Sequence, residues 1–392
     1  MIPTSASARA ELYFFPSLAL TGNYDDNLFF TPDNREGDTY LRLRPAVDLG
    51  YRTELNKLDL NYSQDLERYN QYQELDSNKA RRDLTLDWNF HPSRRLTFGT
   101  DADYLKTRTP SELGALTGVQ FGRVFAEQRY LSPSLEYRYD NLTSTTARYE
   151  YLRDTISNGV GNDNNSVEFD VDRRLASQKT VDFRYRFDRF HFDTGQSVNV
   201  NTLLFGGVYA ITPRLTLNAL AGPRFTGNDN TNASASLELG YQVERGQLNV
   251  NYERTTTTIL GVGAAVDTET AGVQLALSPV KNVVLRAVPN YSDSTNAGRR
   301  IEVYQFLLEA GWQATTYFTV VGSYELTAQH GNLLAAGGNE TIRNAVMLGV
   351  VLAAPQHVEG EVRRRMYLPS NLGGQPAPVP GELREAPSLE EE

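Results

Sequence analysis

The sequence predicts an all-β fold: a transmembrane antiparallel up-and-down β-barrel of about 18 strands, with short periplasmic turns and longer extracellular loops. Three observations carry that reading. Apolar and polar residues alternate in runs of roughly ten from Leu12 to Leu352, the period-two signature of strands with one apolar and one polar face. Short polar connections recur every 32 to 49 residues, separated by longer Asn/Asp/Gly-rich segments. Aromatic residues gather beside both kinds of connection, as amphipathic rings do at the two headgroup levels of a bilayer.

Composition removes the competing classes. The chain has 392 residues, and Lys+Arg 38 against Asp+Glu 48 leave a net charge of -10. That length alone suggests two or three soluble domains. Only 40% of residues are hydrophobic, however, with 3 Met beside 22 Tyr and 17 Phe, and helical periodicity is nearly missing. Mean hydropathy is -0.46. With no cysteine, disulfides, zinc fingers, iron-sulfur centres and covalent haem are excluded. The acidic balance argues against nucleic acid as a partner. The longest uncharged run, 194–213, carries Gln196, Asn199, Asn201 and Pro213, so a transmembrane helix is excluded.

Along the chain, residues 1–10 end in Ala8-Arg9-Ala10, an A-x-A pattern, and read as a signal-peptide remnant or a disordered N-terminus. The barrel is expected over 11–354. Its clearest strand sets Val181, Phe183, Tyr185 and Phe187 against Asp182, Arg184, Arg186 and Asp188. The same alternation runs through Leu84/Leu86/Trp88/Phe90, Val167/Phe169/Val171, Leu248/Val250/Tyr252 and Tyr304/Phe306/Leu308/Ala310/Trp312. Leu55, Pro92, Asn141, Ser177, Pro213, Arg245, Pro279 and Thr315 mark the short turns, and eight such turns imply nine hairpins, hence 18 strands. Longer loops are expected at 23–38, 73–79, 107–122, 155–164, 193–196, 227–232, 255–267, 293–298 and 330–339. Trp88/Phe90, Tyr137/Tyr139, Tyr209, Tyr241, Trp312 and Tyr317/Phe318 form one aromatic band; Tyr69, Tyr104, Tyr149, Phe190/Phe192 and Tyr291 form the other. Residues 355–392 hold 6 of the 17 prolines, Arg363-Arg364-Arg365 and a terminal Glu390-Glu391-Glu392, and read as a flexible, Pro-rich, acidic periplasmic tail.

Phe15-Pro16-Ser17-Leu18-Ala19-Leu20, Gly22-Asn23-Tyr24-Asp25-Asp26-Asn27 and Asp38-Thr39-Tyr40-Leu41-Arg42-Leu43-Arg44-Pro45 resemble the opening of the outer-membrane barrels called beta-barrel porin type 2. Leu60-Asn61-Tyr62-Ser63 and Glu67-Arg68-Tyr69 continue the likeness. The resemblance implies a bacterial outer-membrane passage for exopolysaccharide, with outer-membrane lipid, the barrel-assembly machinery and periplasmic export components as partners. One feature departs from such barrels: the last strand is followed by a 38-residue tail rather than ending on an aromatic residue.

The inner face carries the candidate site. Expected lumen-lining residues are Arg42, Arg44, Asp59, Asp65, Glu67, Asp83, Asp87, Asp101, Asp103, Glu136, Arg138, Arg148 and Glu150, followed by Glu168, Asp170, Asp172, Asp182, Arg184, Arg186 and Asp188. Acids outnumber arginines among them 14 to 6. Residues 38–189 hold 47 charges, whereas 194–290 hold 12, so one wall is densely charged and the other is lined by amides, hydroxyls and glycine. Charges inside a wide barrel also pair across strands simply to keep the lumen wet. The histidines His91, His191, His330 and His357 share no catalytic motif, and a rim hydrolase built on His191 beside Asp188 or Asp193 is the weakest reading; no enzyme activity and no cofactor are expected. Oxygen-rich clusters at Asp25, Asp26, Asn27, Asp33, Asn34, Glu36 and Asp38, at 162–165 and at 228–230 could hold calcium, but lack the EF-hand spacing and read better as solvated loops. The function expected is an outer-membrane channel passing a hydrophilic polymer. A diffusion porin for small solutes and a scaffold barrel sheathing a partner such as a cytochrome are the alternatives.

Overall fold

The structure, a computed structural model, describes residues 10–354 apart from Ala115, Asn158, 228–229 and 334–339, together with 356–358, 361–363 and 367–371. The expectations for 1–9, for Asn228 and Asp229, and for the rest of 355–392 lie outside the described residues. Among the described residues no helix is long and apolar enough to cross a membrane.

Eighteen antiparallel strands follow in chain order: β1 (Glu11–Asp25), β2 (Asp38–Arg52), β3 (Asn56–Tyr69), β4 (Ser77–Ser93), β5 (Leu96–Thr107), β6 (Ala126–Arg138), β7 (Thr143–Ile156), β8 (Asn162–Ala176) and β9 (Lys179–Phe192) form the first half. The second half comprises β10 (Ser197–Thr212), β11 (Leu215–Thr226), β12 (Asn230–Val243), β13 (Gly246–Thr258), β14 (Ala265–Leu277), β15 (Val283–Asn296), β16 (Arg299–Gln313), β17 (Phe318–Gly331) and β18 (Thr341–Ala353). Each strand pairs with its sequence neighbour, and β1 also pairs with β18, from Ser17 opposite Ala353 to Asp25 opposite Ala345. The sheet therefore closes and has no edge. In hydrocarbon, where water cannot satisfy a free N–H or C=O, closure is what permits a sheet to span.

Period-two alternation sorts the side chains. Leu12, Phe14, Leu18 and Leu20 of β1 are exposed while Phe15, Ala19, Thr21 and Asn23 between them are buried. The same register continues round the barrel, so Leu41, Leu84, Leu131, Phe169, Phe205, Leu237, Leu308 and Leu348 all point outward and exposed. An apolar outer belt bounded by rings is the face a bilayer requires. Tyr137, Tyr209, Tyr241 and Trp312 ring its periplasmic edge, and Tyr24, Tyr149 and Tyr304 its extracellular edge, all exposed. The architecture is that of a bacterial outer-membrane barrel.

Three expectations change. The strands run further than the sequence loops implied, and 293–298 contracts to a two-residue turn between β15 and β16. Tyr69, Phe190 and Phe192 do not belong to the extracellular aromatic band; they are buried on the inner face. Tyr69 stacks on Tyr40 with centroids 4.7 Å apart, and Phe190 and Phe192 pack with Val200. Finally, Tyr367 and Leu368 of the tail are buried within the barrel, which the Pro-rich context gave no reason to expect.

Candidate functional site

Each expected lumen residue stands on the inner face of its strand, fixed by alternation and register. On β2 and β3, Arg44 grips Asp65 bidentately (Nε–Oδ1 2.5 Å, Nη2–Oδ2 2.6 Å), and Arg42 reaches Glu67 at 2.7 Å and Asp65 at 3.2 Å. Next to them Lys57 bridges Asp59 (3.1 Å) and Asp87 (3.9 Å). On β6, Arg138 holds Glu136 at 2.7 Å. Arg148 of β7 lies 3.7 Å from Glu168 of β8. On β9, Arg184 meets Asp170 (2.6 Å) and Asp182 (3.8 Å), and Arg186 sits among Glu150 (2.6 Å), Asp188 (3.0 Å) and Glu168 (3.2 Å). One guanidinium serving three carboxylates leaves a local acid excess.

Other carboxylates face like charges across the sheet. Asp59, Asp87 and Asp101 stand directly opposite one another across β3, β4 and β5, and Asp172 faces Asp182 across β8 and β9. Asp101 and Asp103 have no ion-pair partner within 4 Å among the described residues. Like charges set directly opposite destabilise a sheet unless water or counterions screen them. This stretch therefore lines an aqueous space: a cavity of about 480 Å³ bounded by Asp48, Asp59, Asp87, Asp101, Asp103 and Tyr130.

A constriction that sequence reading missed is built by the loop 108–125. Instead of standing in solvent, it turns into the barrel. Ser292 donates to the carbonyl of Thr117, Gln305 to that of Gly118 (3.2 Å), and the Gln120 N–H donates to Gln329 (2.8 Å). Val119 is buried with Ile259, Val266, Ile301 and Val303. Gly118 has φ +63°, a left-handed conformation that a side chain would strain, and a Cβ there would lie 3.0 Å from the Gln305 amide oxygen. At the loop's return, Arg123 is within 3.6 Å of Asp25 and donates to Tyr40 Oη at 2.8 Å. Glu112 binds Arg81 at 2.9 Å, and Arg81 also holds Asp83 at 2.7 Å. Between loop and wall remains a cavity of about 450 Å³, lined by Arg42, Arg44, Arg81, Arg123 and Arg343 together with Asp83, Glu112, Glu309 and Glu325.

The acidic opening motif has a structural use. Asp25 is buried and ion-pairs with Arg343 of β18 at 2.7 Å; Asp26 accepts from both the backbone and side-chain nitrogens of Asn344 (2.6 and 2.7 Å); Asn27 donates to the Ile342 carbonyl at 3.0 Å. Asp38 accepts backbone N–H groups of Thr39, Gln71 and Tyr72. Asp25, Asp26 and Asn27 pin the seam between the first and last strands and Asp38 ties β2 to the turn after β3, and among the described residues no His/Asp/Glu cluster is placed to hold a metal. His191 meets Ser197 at 2.9 Å, and His91 meets Thr97 at 2.9 Å.

From the periplasmic side the tail adds a second obstruction. Tyr367 packs with Ala19, Val321 and Val351, and Leu368 with Val284. Ser370 donates its backbone N–H and its hydroxyl to the two oxygens of buried Glu309 (2.5 and 2.9 Å), which Arg286 also binds at 3.0 Å. Gly311 makes the approach feasible, because a Cβ there would overlap the Tyr367 carbonyl oxygen.

No family model matches the chain, and no curated protein matches it. Among solved structures it is similar to OccAB4 of Acinetobacter baumannii (TM-score 0.49, 9% identity, covering 89% of this chain and 99% of that one). It is also similar to OpdQ of Pseudomonas aeruginosa (TM-score 0.47, 8% identity, 88% and 98%). A third likeness is to the ferric enterobactin receptor PfeA of Pseudomonas aeruginosa (TM-score 0.44, 9% identity, 86% and 80%). What these likenesses share with the chain is a barrel.

Proposed function

We propose that the protein is a diffusion channel for small hydrophilic solutes, with a preference for cations. The observation that carries this reading is the loop 108–125, held inside the lumen by polar contacts to β15, β16 and β17 and by the burial of Val119. The cavity left beside it, about 450 Å³, and the acidic cavity of about 480 Å³ along β3–β5 lie in the ~300–1,000 Å³ range that suits single small molecules. The type 2 porin resemblance points instead to a sugar polymer. A polymer in transit would need both the loop and residues 367–371 to vacate the lumen, whereas a small solute fits the spaces left along the inner wall.

Liposome swelling tests the choice. Vesicles carrying the purified barrel should swell in a monosaccharide and stay shrunken in dextran. Comparable swelling in both would restore the polymer reading.

A further inference from the structure

Outside the barrel, the apolar belt ends abruptly on the arc formed by β4, β5 and β6. The exposed faces of these strands carry Leu84, Phe98, Leu131, Leu135 and Tyr137. Continued toward the extracellular rim, the same faces present Arg82, Lys106 and Arg129. Register sets them side by side: Arg82 is opposite Lys106, Tyr104 is opposite Arg129, and Arg129 is opposite Arg153 of β7. Arg108, one residue past β5, stacks its guanidinium 4.5 Å from the Phe125 ring centre, and the Lys106 ammonium lies 6.0 Å from the same ring.

Arg82, Lys106, Arg108 and Arg129 thus gather at one level, with the Glu127 carboxylate beside two of them. Glu127 takes Lys106 at 3.1 Å and Arg129 at 2.6 Å. Arg153 is already held by Asp163 (2.8 Å) and Asp193 (2.9 Å). Arg82 has no ion-pair partner among the described residues, and its Nε is shielded from water with no hydrogen-bond partner. Directly opposed like charges cost a sheet stability, yet two such pairs adjoin here. Other rim arginines are matched: Arg254 meets Glu269 at 3.2 Å, and Arg300 meets Asp293 and Glu302 at 2.8 and 2.9 Å.

We infer that the outer face of β4–β6 at the extracellular rim binds the phosphorylated headgroup of a lipid in the extracellular leaflet. A phosphoryl group supplies the missing negative charge and accepts charge-assisted hydrogen bonds from several donors at once. The leucines and rings beneath receive the acyl chains, an anchor that free phosphate lacks. This site is independent of what passes through the lumen.

The test uses the purified full-length barrel in neutral detergent, with lipid binding read by native mass spectrometry. The probes are lipid A, its dephosphorylated form, and inorganic phosphate as a competitor. The unmodified protein should retain lipid A and release the dephosphorylated lipid. R82Q/K106Q/R129Q should weaken retention by roughly tenfold or more, since charged hydrogen bonds each contribute about one order of magnitude. The matched variant R254Q/R300Q should bind as the unmodified protein does, and Arg129→Lys should keep most of the affinity. Heat-modifiable migration checks that every variant is folded. Equal retention by the triple variant, equal loss in the matched variant, or equal binding of the dephosphorylated lipid would each overturn the site. Displacement by millimolar inorganic phosphate would overturn the lipid and leave a free-anion site.

Discussion

Asp65 is almost fully buried against Arg42 and Arg44, whereas Asp170 pairs with an Arg184 guanidinium that is about one-third exposed. The two pairs should respond differently to loss of one partner. Asp65→Asn leaves two buried guanidinium groups short of charge and should destabilise the barrel by about 3–5 kcal/mol. Arg184→Gln opens Asp170 to water and should cost under about 1 kcal/mol. Urea unfolding in detergent, read by heat-modifiable migration, compares them; equal midpoints would mean that Asp65 is hydrated. On the opposite face, Phe183→Arg places a charge among lipid tails and should cost about 2–4 kcal/mol near the midplane. The same assay checks it against the neighbouring Arg184→Gln, and equal damage would mean that the two faces are misassigned. The inner face was legible in the sequence for a simple reason: side-chain direction in a strand is set by parity, so Asp182, Arg184, Arg186 and Asp188 could be placed together before any contact was known. Parity does not tell depth, which is why Asp101 and Asp65 looked alike as sequence although one is exposed to the lumen and the other sealed.

At the scale of elements, all eighteen strands follow from alternation and from turns such as 139–142, where the Asp140 carboxylate accepts the N–H groups of Leu142 and Thr143 at 2.7 Å each. Those donors favour the ionised form and hold its carboxyl below the usual range. The loop 108–125 escaped the sequence reading because Val119 and Phe121 belong to no strand or helix periodicity, and they pack with Ile301 and Val303, about 180 residues away. The tail escaped it because Tyr367-Leu368 is a pair of apolar residues within a Pro/Gly-rich stretch. Both segments make a prediction. Val119→Asp puts a charge into an apolar cluster and should release the loop tip, raising single-channel conductance severalfold. Gly311→Val should expel the Tyr367 carbonyl and mimic deletion of 355–392, giving higher conductance from a barrel that stays folded because none of its eighteen strands is lost. Unchanged conductance in both tail variants would show that 367–371 does not obstruct the path.

For the whole molecule, charge is distributed so that one arc of the lumen, β2 to β9, carries most of it, with acids in excess. Paired groups such as Arg44 and Asp65 cancel at short range, so the field felt by a passing ion comes chiefly from Asp101, Asp103 and Asp172, which form no ion pair within 4 Å among the described residues, and from Asp87, which is 3.9 Å from Lys57. Because these carboxylates line a water-filled cavity rather than a sealed core, they stay accessible to mobile ions, and an excess of fixed negative charge concentrates cations and depletes anions nearby. The channel should therefore be cation-selective in a planar bilayer under a salt gradient. The preference should be strongest in dilute salt and should fade toward 1 M, as the Debye length falls from about 10 Å at 0.1 M to about 3 Å. Replacing Asp87, Asp101 and Asp103 together with Asn removes carboxylates that form no strong ion pair, so the barrel should fold as before while its reversal potential moves toward zero. Replacing Asp65 instead should change stability more than selectivity, because its charge is already cancelled by two arginines. Anion selectivity in the unmodified protein, or a reversal potential indifferent to the triple replacement, would place the ion path away from this wall and transfer control of selectivity to the arginines of the constriction.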